Sequence, residues 1–250
     1  MRKILFVFIA LMLLFHSLTG QISINATPGS KNDQGFSLRE HEYAVIINGG
    51  KNKHDNYLDF WNECAAIYTA LIEVYHYKKE NIFILISDGT DPADDRYLGK
   101  NGGYDSSPLD LDGDGVDDTQ YAATKENISL VFDHLAQTMT NEDNLFIYAT
   151  SHGVQRSGED VYMFLWEDVI MEDYEFAAEV NKVNVQTITT LITPCSSGGF
   201  IDDLAGDNRV IVSSCTAYEN THPMSLKSYG EFVYYWASAI AGHAPDIPYQ

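Results

Sequence analysis

The sequence predicts an α/β fold, a three-layer sandwich with a mostly parallel sheet and helices on both faces. Three observations carry this. Short apolar runs rich in β-branched residues stop abruptly at glycine or polar residues, as in EYAVIINGG (42–50) and NIFILISDG (81–89), the mark of strands buried on both faces. Between such runs, apolar residues recur at steps of three and four, the helical period. The chain has 250 residues, long enough for one domain with a sizeable core and short for two.

The elements follow in order. The first buried strand is 42–50. Tyr57, Trp61, Cys64, Tyr68, Leu71 and Tyr75 then mark a helix with one buried face. The second strand is 81–89. Residues 90–124 are rich in Asp and Gly and read as a loop-like insertion. Ile128, Phe132, Leu135 and Met139 share one face of a second helix, and NLFIYATSHG (144–153) is a strand that stops at His152 and Gly153. VYMFLWEDVI (161–170) suits a hairpin arm and EDYEFAAEVNKV (172–183) a third helix. ITTLITPCSSGG (188–199) is an apolar run stopping at Cys195; RVIVSSC (209–215) is a further strand, and EFVYYWASAIAG (231–242) a last helix.

The N-terminus reads as a secretory leader. Arg2 and Lys3 precede the apolar run Ile4–Phe15, too short to span a bilayer, with cleavage expected near Gly20. Residues 21–41 read as a flexible arm, leaving 42–250 as the folded domain. A secreted or periplasmic protein is expected, clear of the membrane once the leader is removed. The net charge of -21 repels phosphate backbones, so nucleic acid is not an expected partner. The cysteines are Cys64, Cys195 and Cys215, an odd set of three. An exported protein held by disulfides normally has an even number, so at least one thiol is left over. Cys64 and Cys215 are read as two buried thiols.

In a parallel sheet, chemistry gathers at the carboxyl ends of the strands. His152 and Cys195 each lie just past such an end. Taken singly, a strand-end histidine is usually structural, and a lone cysteine is a small hydrophobe. Taken together, they are a thiol nucleophile and the imidazole that moves its proton. Gly153 lets backbone approach a substrate carbonyl, and the N–H groups of Gly153 and Cys195 are the natural oxyanion donors. His54 is the only rival histidine in a suitable loop. A serine hydrolase is disfavoured because no Gly-x-Ser-x-Gly elbow is present.

DLDGDGVDD (110–118) places Asp110, Asp112 and Asp114 at alternate positions, then Gly115, the Val116 carbonyl and Asp118 at positions six, seven and nine of an EF-hand-type loop. Such a set of oxygens suits a structural Ca²⁺. The twelfth position, Tyr121, lacks the usual carboxylate. No cofactor is expected for catalysis.

The ordered set of motifs resembles the caspase-like superfamily of cysteine peptidases, and its legumain branch in particular. The resemblance rests on the His-Gly strand, the Cys-Ser-Ser-Gly strand, Asn56-Tyr57 with Cys64 seven residues on, and RVIVSSCTAYEN (209–220), across residues 42–242. It implies a caspase-like fold and an endopeptidase acting on proteins or peptides. It also implies Cys195 as nucleophile, His152 as general acid/base, and Asn56 orienting the imidazole. Asp59 with Ser213, Tyr218 and Glu219 would then border the substrate pocket. Where legumains carry Arg-His after the Asn-Tyr pair, this chain has Leu58 and Asp59, which puts asparagine specificity in doubt and leaves an acidic pocket that would favour a basic side chain. Pro194 stands where alanine is typical, and a C-terminal inhibitory domain is not expected. Two other outcomes stay open: a catalytically silent, calcium-stabilised binding domain, and a transamidase of the same fold. The oligomeric state is left open.

Overall fold

The computed structural model describes residues 39–224 and 228–242. The expected leader and most of the arm lie outside them.

The centre is a five-stranded sheet, parallel throughout. Its strands are β1 (Glu42–Asn48), β2 (Ile82–Ile86), β5 (Asn144–Thr150), β9 (Thr187–Ile192) and β10 (Arg209–Ser213), in the order β10-β9-β5-β1-β2. The innermost runs are buried without interruption, as an all-parallel sheet covered on both faces requires. Side chains alternate across it. Val45, Ile47, Leu145 and Ile147 join a core with Phe132 of helix α2 (Lys125–Thr138), Phe176 of α3 (Asp173–Val180) and Phe200 of α4 (Phe200–Leu204). On the opposite face, Tyr148 reaches α1 (Leu58–Glu73), which packs against α5 (Glu231–Ile240). Helices therefore cover both faces, as expected.

Three smaller sheets decorate this frame. β3 (Arg96–Tyr97) pairs with β4 (Tyr104–Asp105), and β11 (Pro223–Met224) with β12 (Tyr229–Gly230). The expected hairpin arm is β7 (Asp160–Phe164), flanked by β6 (Gly153–Ser157) and β8 (Ile170–Glu172).

Two expectations are corrected. The arm does not run free to residue 41: Arg39 N–H bonds His76 O, and His41 Nδ1 lies 2.7 Å from Asp143 Oδ1. The 90–124 segment is more than a loop. Its end lies along the outer side of β2, where Tyr121 N–H bonds Ile84 O and Ile86 N–H bonds Tyr121 O. The Gln120 amide closes the remainder, accepting from Ile84 N–H and donating to Ile82 O. The signal missed was compositional: Asp and Gly dominate the segment, yet Leu111, Asp118 and Thr119 within it are buried.

Candidate active site

The register of β5 and β9 aligns the two strand ends. Ala149 pairs with Ile192, and His152 and Cys195 each lie three residues further on. Both side chains line one cleft of about 170 Å³ at the carboxyl edge of the sheet. The two backbones also touch. A Cβ on Gly153 would sit 2.2 Å from the Cys195 carbonyl oxygen and 2.7 Å from Pro194 Cβ, so only glycine lets the His strand pass over the Cys turn. Cys195 is half-buried, with its Sγ 3.5 Å from Thr221 Oγ1. Ser196 follows at φ +61, a left-handed conformation uncommon for a residue with a side chain. Its N–H is fixed by Glu219 O at 2.8 Å.

The imidazole of His152 is held on three sides. Nε2 lies 2.8 Å from the Asp55 carbonyl oxygen. A carbonyl only accepts, so Nε2 carries the proton and Nδ1 of the neutral ring is the basic nitrogen. The rings of Tyr57 and Phe60 meet it edge to face, at 5.2 and 5.3 Å between centroids.

The orienting role that the resemblance gave to the Asn56 side chain is therefore a correction. That amide is fully buried and faces elsewhere. Asn56 Oδ1 accepts from Asn48 Nδ2 at 3.1 Å, while Asn56 Nδ2 donates to Ser87 Oγ at 2.7 Å and to Asp95 O at 2.8 Å. Asn56 ties the ends of β1 and β2 and the 90–124 segment to the loop whose preceding carbonyl holds the imidazole. It is an anchor of the loop, and the contact with the ring is Asp55's.

Of the residues expected to border the pocket, Asp59 lines the cleft beside His152. Ser213, Tyr218 and Glu219 do not; Ser214 and Thr221 take their place. Ser213 is the last residue of β10 and Ser214 the first beyond it, and it is Ser214 that meets the cleft. Tyr218 points to solvent, 63% exposed. The Glu219 carboxylate turns back on Thr216, whose hydroxyl and then N–H hold its pKa below the ordinary range.

Sequence reasoning missed Glu63, which forms part of the cleft wall at only 3% exposure. It accepts hydrogen bonds from Tyr148 Oη (2.7 Å), Thr150 Oγ1 (2.9 Å) and Gly230 N–H (2.6 Å). Burial pushes its pKa from 4.5 to about 7, against the pull of those donors. The available signal was an acid on the buried stripe of α1, beside Cys64 and Ile67. A carboxyl raised on folding adds stability that is complete below its unfolded pKa and is lost as pH climbs through the folded one. Wild type is therefore expected to lose up to about 3 kcal/mol between pH 4.5 and 8 that Glu63→Gln does not lose. Urea unfolding of both proteins across that range checks it; parallel pH profiles would refute it.

His54 lies away from the cleft, exposed, its ring on Tyr104. All three thiols are free. Cys64 is buried, which drives its pKa up, whereas Cys215 is only half-buried, against the expectation of two buried thiols.

In the acidic loop, Asp110, Asp112 and Asp118 bring carboxylate oxygens within 4.8 Å of one another. Asp114 lies outside that group, and the Val116 N–H bonds its carboxylate. Lys79 Nζ reaches Asp112 and Asp114 at 2.7 Å and Asp118 at 3.5 Å. The Asp110 carboxylate accepts from Gly113 and Gly115 N–H, the turn expected from the spacing.

The model of the peptidase C13 family matches residues 42–238, which takes in both strand ends, the Asn56 loop and the cleft. No curated protein matches the chain significantly.

Proposed function

Because the chain belongs to the peptidase C13 family, the legumain-like cysteine peptidases, we propose that it is an exported endopeptidase that cleaves peptide bonds through a thioester on Cys195. The observation that carries this reading is the shared cleft: a thiol and an imidazole at equal offsets from one paired register, with Gly153 clearing the space between their backbones. His152 Nδ1 takes the Cys195 proton as sulfur attacks the substrate carbonyl. The N–H groups of Gly153 and Cys195 receive the oxyanion. The imidazolium then gives its proton to the departing amine. A water, deprotonated by the same nitrogen, attacks the thioester, releasing the acid and restoring the thiol. The Asp55 carbonyl and the two aromatic rings hold the imidazole in one tautomer and one orientation throughout.

Export rests on the leader-like residues 1–20. A calcium ion among Asp110, Asp112 and Asp118 would be structural, competing with Lys79 for the same oxygens and taking no part in the chemistry.

The test is labelling with peptidyl acyloxymethyl ketones, which alkylate an activated thiol. Cys195 in the mature protein is expected to label, and the reaction is expected to disappear in Cys195→Ala and to fall about 100-fold or more in His152→Ala. Equal, slow labelling of Cys64, Cys195 and Cys215 would favour the silent binding domain instead.

A further inference from the structure

Among the described residues, the lining of the cleft carries acidic groups and no Lys or Arg beside them. The acidic groups are Asp59, Glu63 and Glu231. These carboxyl groups come from two elements that close on one another, α1 and the start of α5. The Asp59 carboxylate enters no ion pair among the described residues, although it is half-buried, and burial disfavours its charge. Glu63 Oε1 takes one hydrogen bond, from Gly230 N–H, and retains acceptor capacity. The walls beside them are apolar and aromatic, Phe60 and Phe232 among them, which suits the aliphatic stem of a long cationic side chain and the cation itself.

We infer that this cleft selects a lysine or arginine immediately before the scissile bond, with Asp59 receiving the cation. The inference rests on the peptidase reading of the same site. A neutral or apolar side chain seated there would seal a half-buried carboxylate away from water with only its own backbone N–H as partner and no cation, and an acidic one would face it with like charge; both are costly in a water-poor cleft. A cation is the occupant that removes the cost. The net charge of -21 also attracts basic segments toward the protein at low salt.

The experiment uses a panel of acyloxymethyl ketones identical except for Lys, Arg, Asn, Asp or Leu at the position next to the warhead, and reads the second-order rate of Cys195 alkylation. Lys or Arg is expected to exceed Asn, Asp and Leu by about 100-fold. Asp59→Asn is expected to cut the Lys-to-Leu ratio at least about 10-fold. The ratio within one protein is read, so a loss of folded material cancels; Glu231→Gln, at an exposed position, adds a second variant expected to move it in the same direction by less. Fastest labelling by the Asn, Asp or Leu compound overturns the inference while leaving the peptidase intact, as does an unchanged ratio in Asp59→Asn. Failure of every compound to label Cys195 overturns the peptidase reading, and the specificity falls with it.

Discussion

Cys195→Ala is expected to lower kcat/KM for a peptide substrate by about 10,000-fold or more, to the level that binding alone supports. Without the sulfur there is no acyl-enzyme, and no other thiol can replace it: Cys64 is fully buried in α1, and the Cys215 sulfur lies against Ser197 Oγ and the Pro194 carbonyl. His152→Ala is expected to cost about 100- to 10,000-fold, since a thiol retains some thiolate at neutral pH without its base. The double variant should be no slower than Cys195→Ala, because the two groups act as one unit. Stability should scarcely change in Cys195→Ala. Cys195 is half-buried, and the hydrogen-bond partner of its Sγ among the described residues is Thr221 Oγ1, at a long 3.5 Å. Initial-rate kinetics together with urea unfolding of the same preparations check both halves. Substantial activity in Cys195→Ala would remove this residue from the mechanism.

Gly153→Ala acts on the same site through packing. One methyl group would have to occupy space 2.2 Å from the Cys195 carbonyl oxygen, with the Pro194 ring behind it. Neither neighbour is a flexible side chain, so the strand end or the Cys turn must move. A forced shift of this kind costs about 1–3 kcal/mol, and it displaces the N–H group assigned to the oxyanion. Loss of one such donor is worth about 100- to 1,000-fold in kcat. The expected variant is folded, less stable and nearly inactive, with labelling of Cys195 slowed more than the urea midpoint is lowered. A variant with wild-type rate and midpoint would show that the two strand ends are not in contact in solution.

The halves of the site differ in how legible they were. His152 and Cys195 could be read because an apolar run that stops at a reactive side chain is a local signal, and a parallel sheet sends such ends to one edge. The face of α1 was legible in part: Cys64, Tyr68 and Leu71 keep helical spacing and are buried, whereas Tyr57 caps the helix and is exposed, Trp61 is half-buried, and Tyr75 lies past the helix end. The Asp55 carbonyl could not be read, because a backbone oxygen has no identity in a sequence. Asn56 was noticed but misassigned. Its partners Asn48, Ser87 and Asp95 come from three separate segments, and only the fold shows that they use its amide fully. Lys79 lies 35 residues before Asp114, too far for the pattern of alternating acids to suggest it. Ser213 closes β10 and Ser214 follows it, and the sequence does not mark where that strand leaves the central sheet.

The closure of β2 has a consequence for how this protein meets other chains. On its outer side, Ile82 O, both polar groups of Ile84 and Ile86 N–H already have partners in Gln120 and Tyr121. An edge saturated in this way offers no template to an incoming strand. Among the described residues, β10 forms the opposite edge and pairs only with β9. The two edges of the central sheet therefore differ toward an incoming strand: Gln120 and Tyr121 seal the Ile82–Ile86 side, whereas among the described residues no strand pairs with the outer side of Arg209–Ser213.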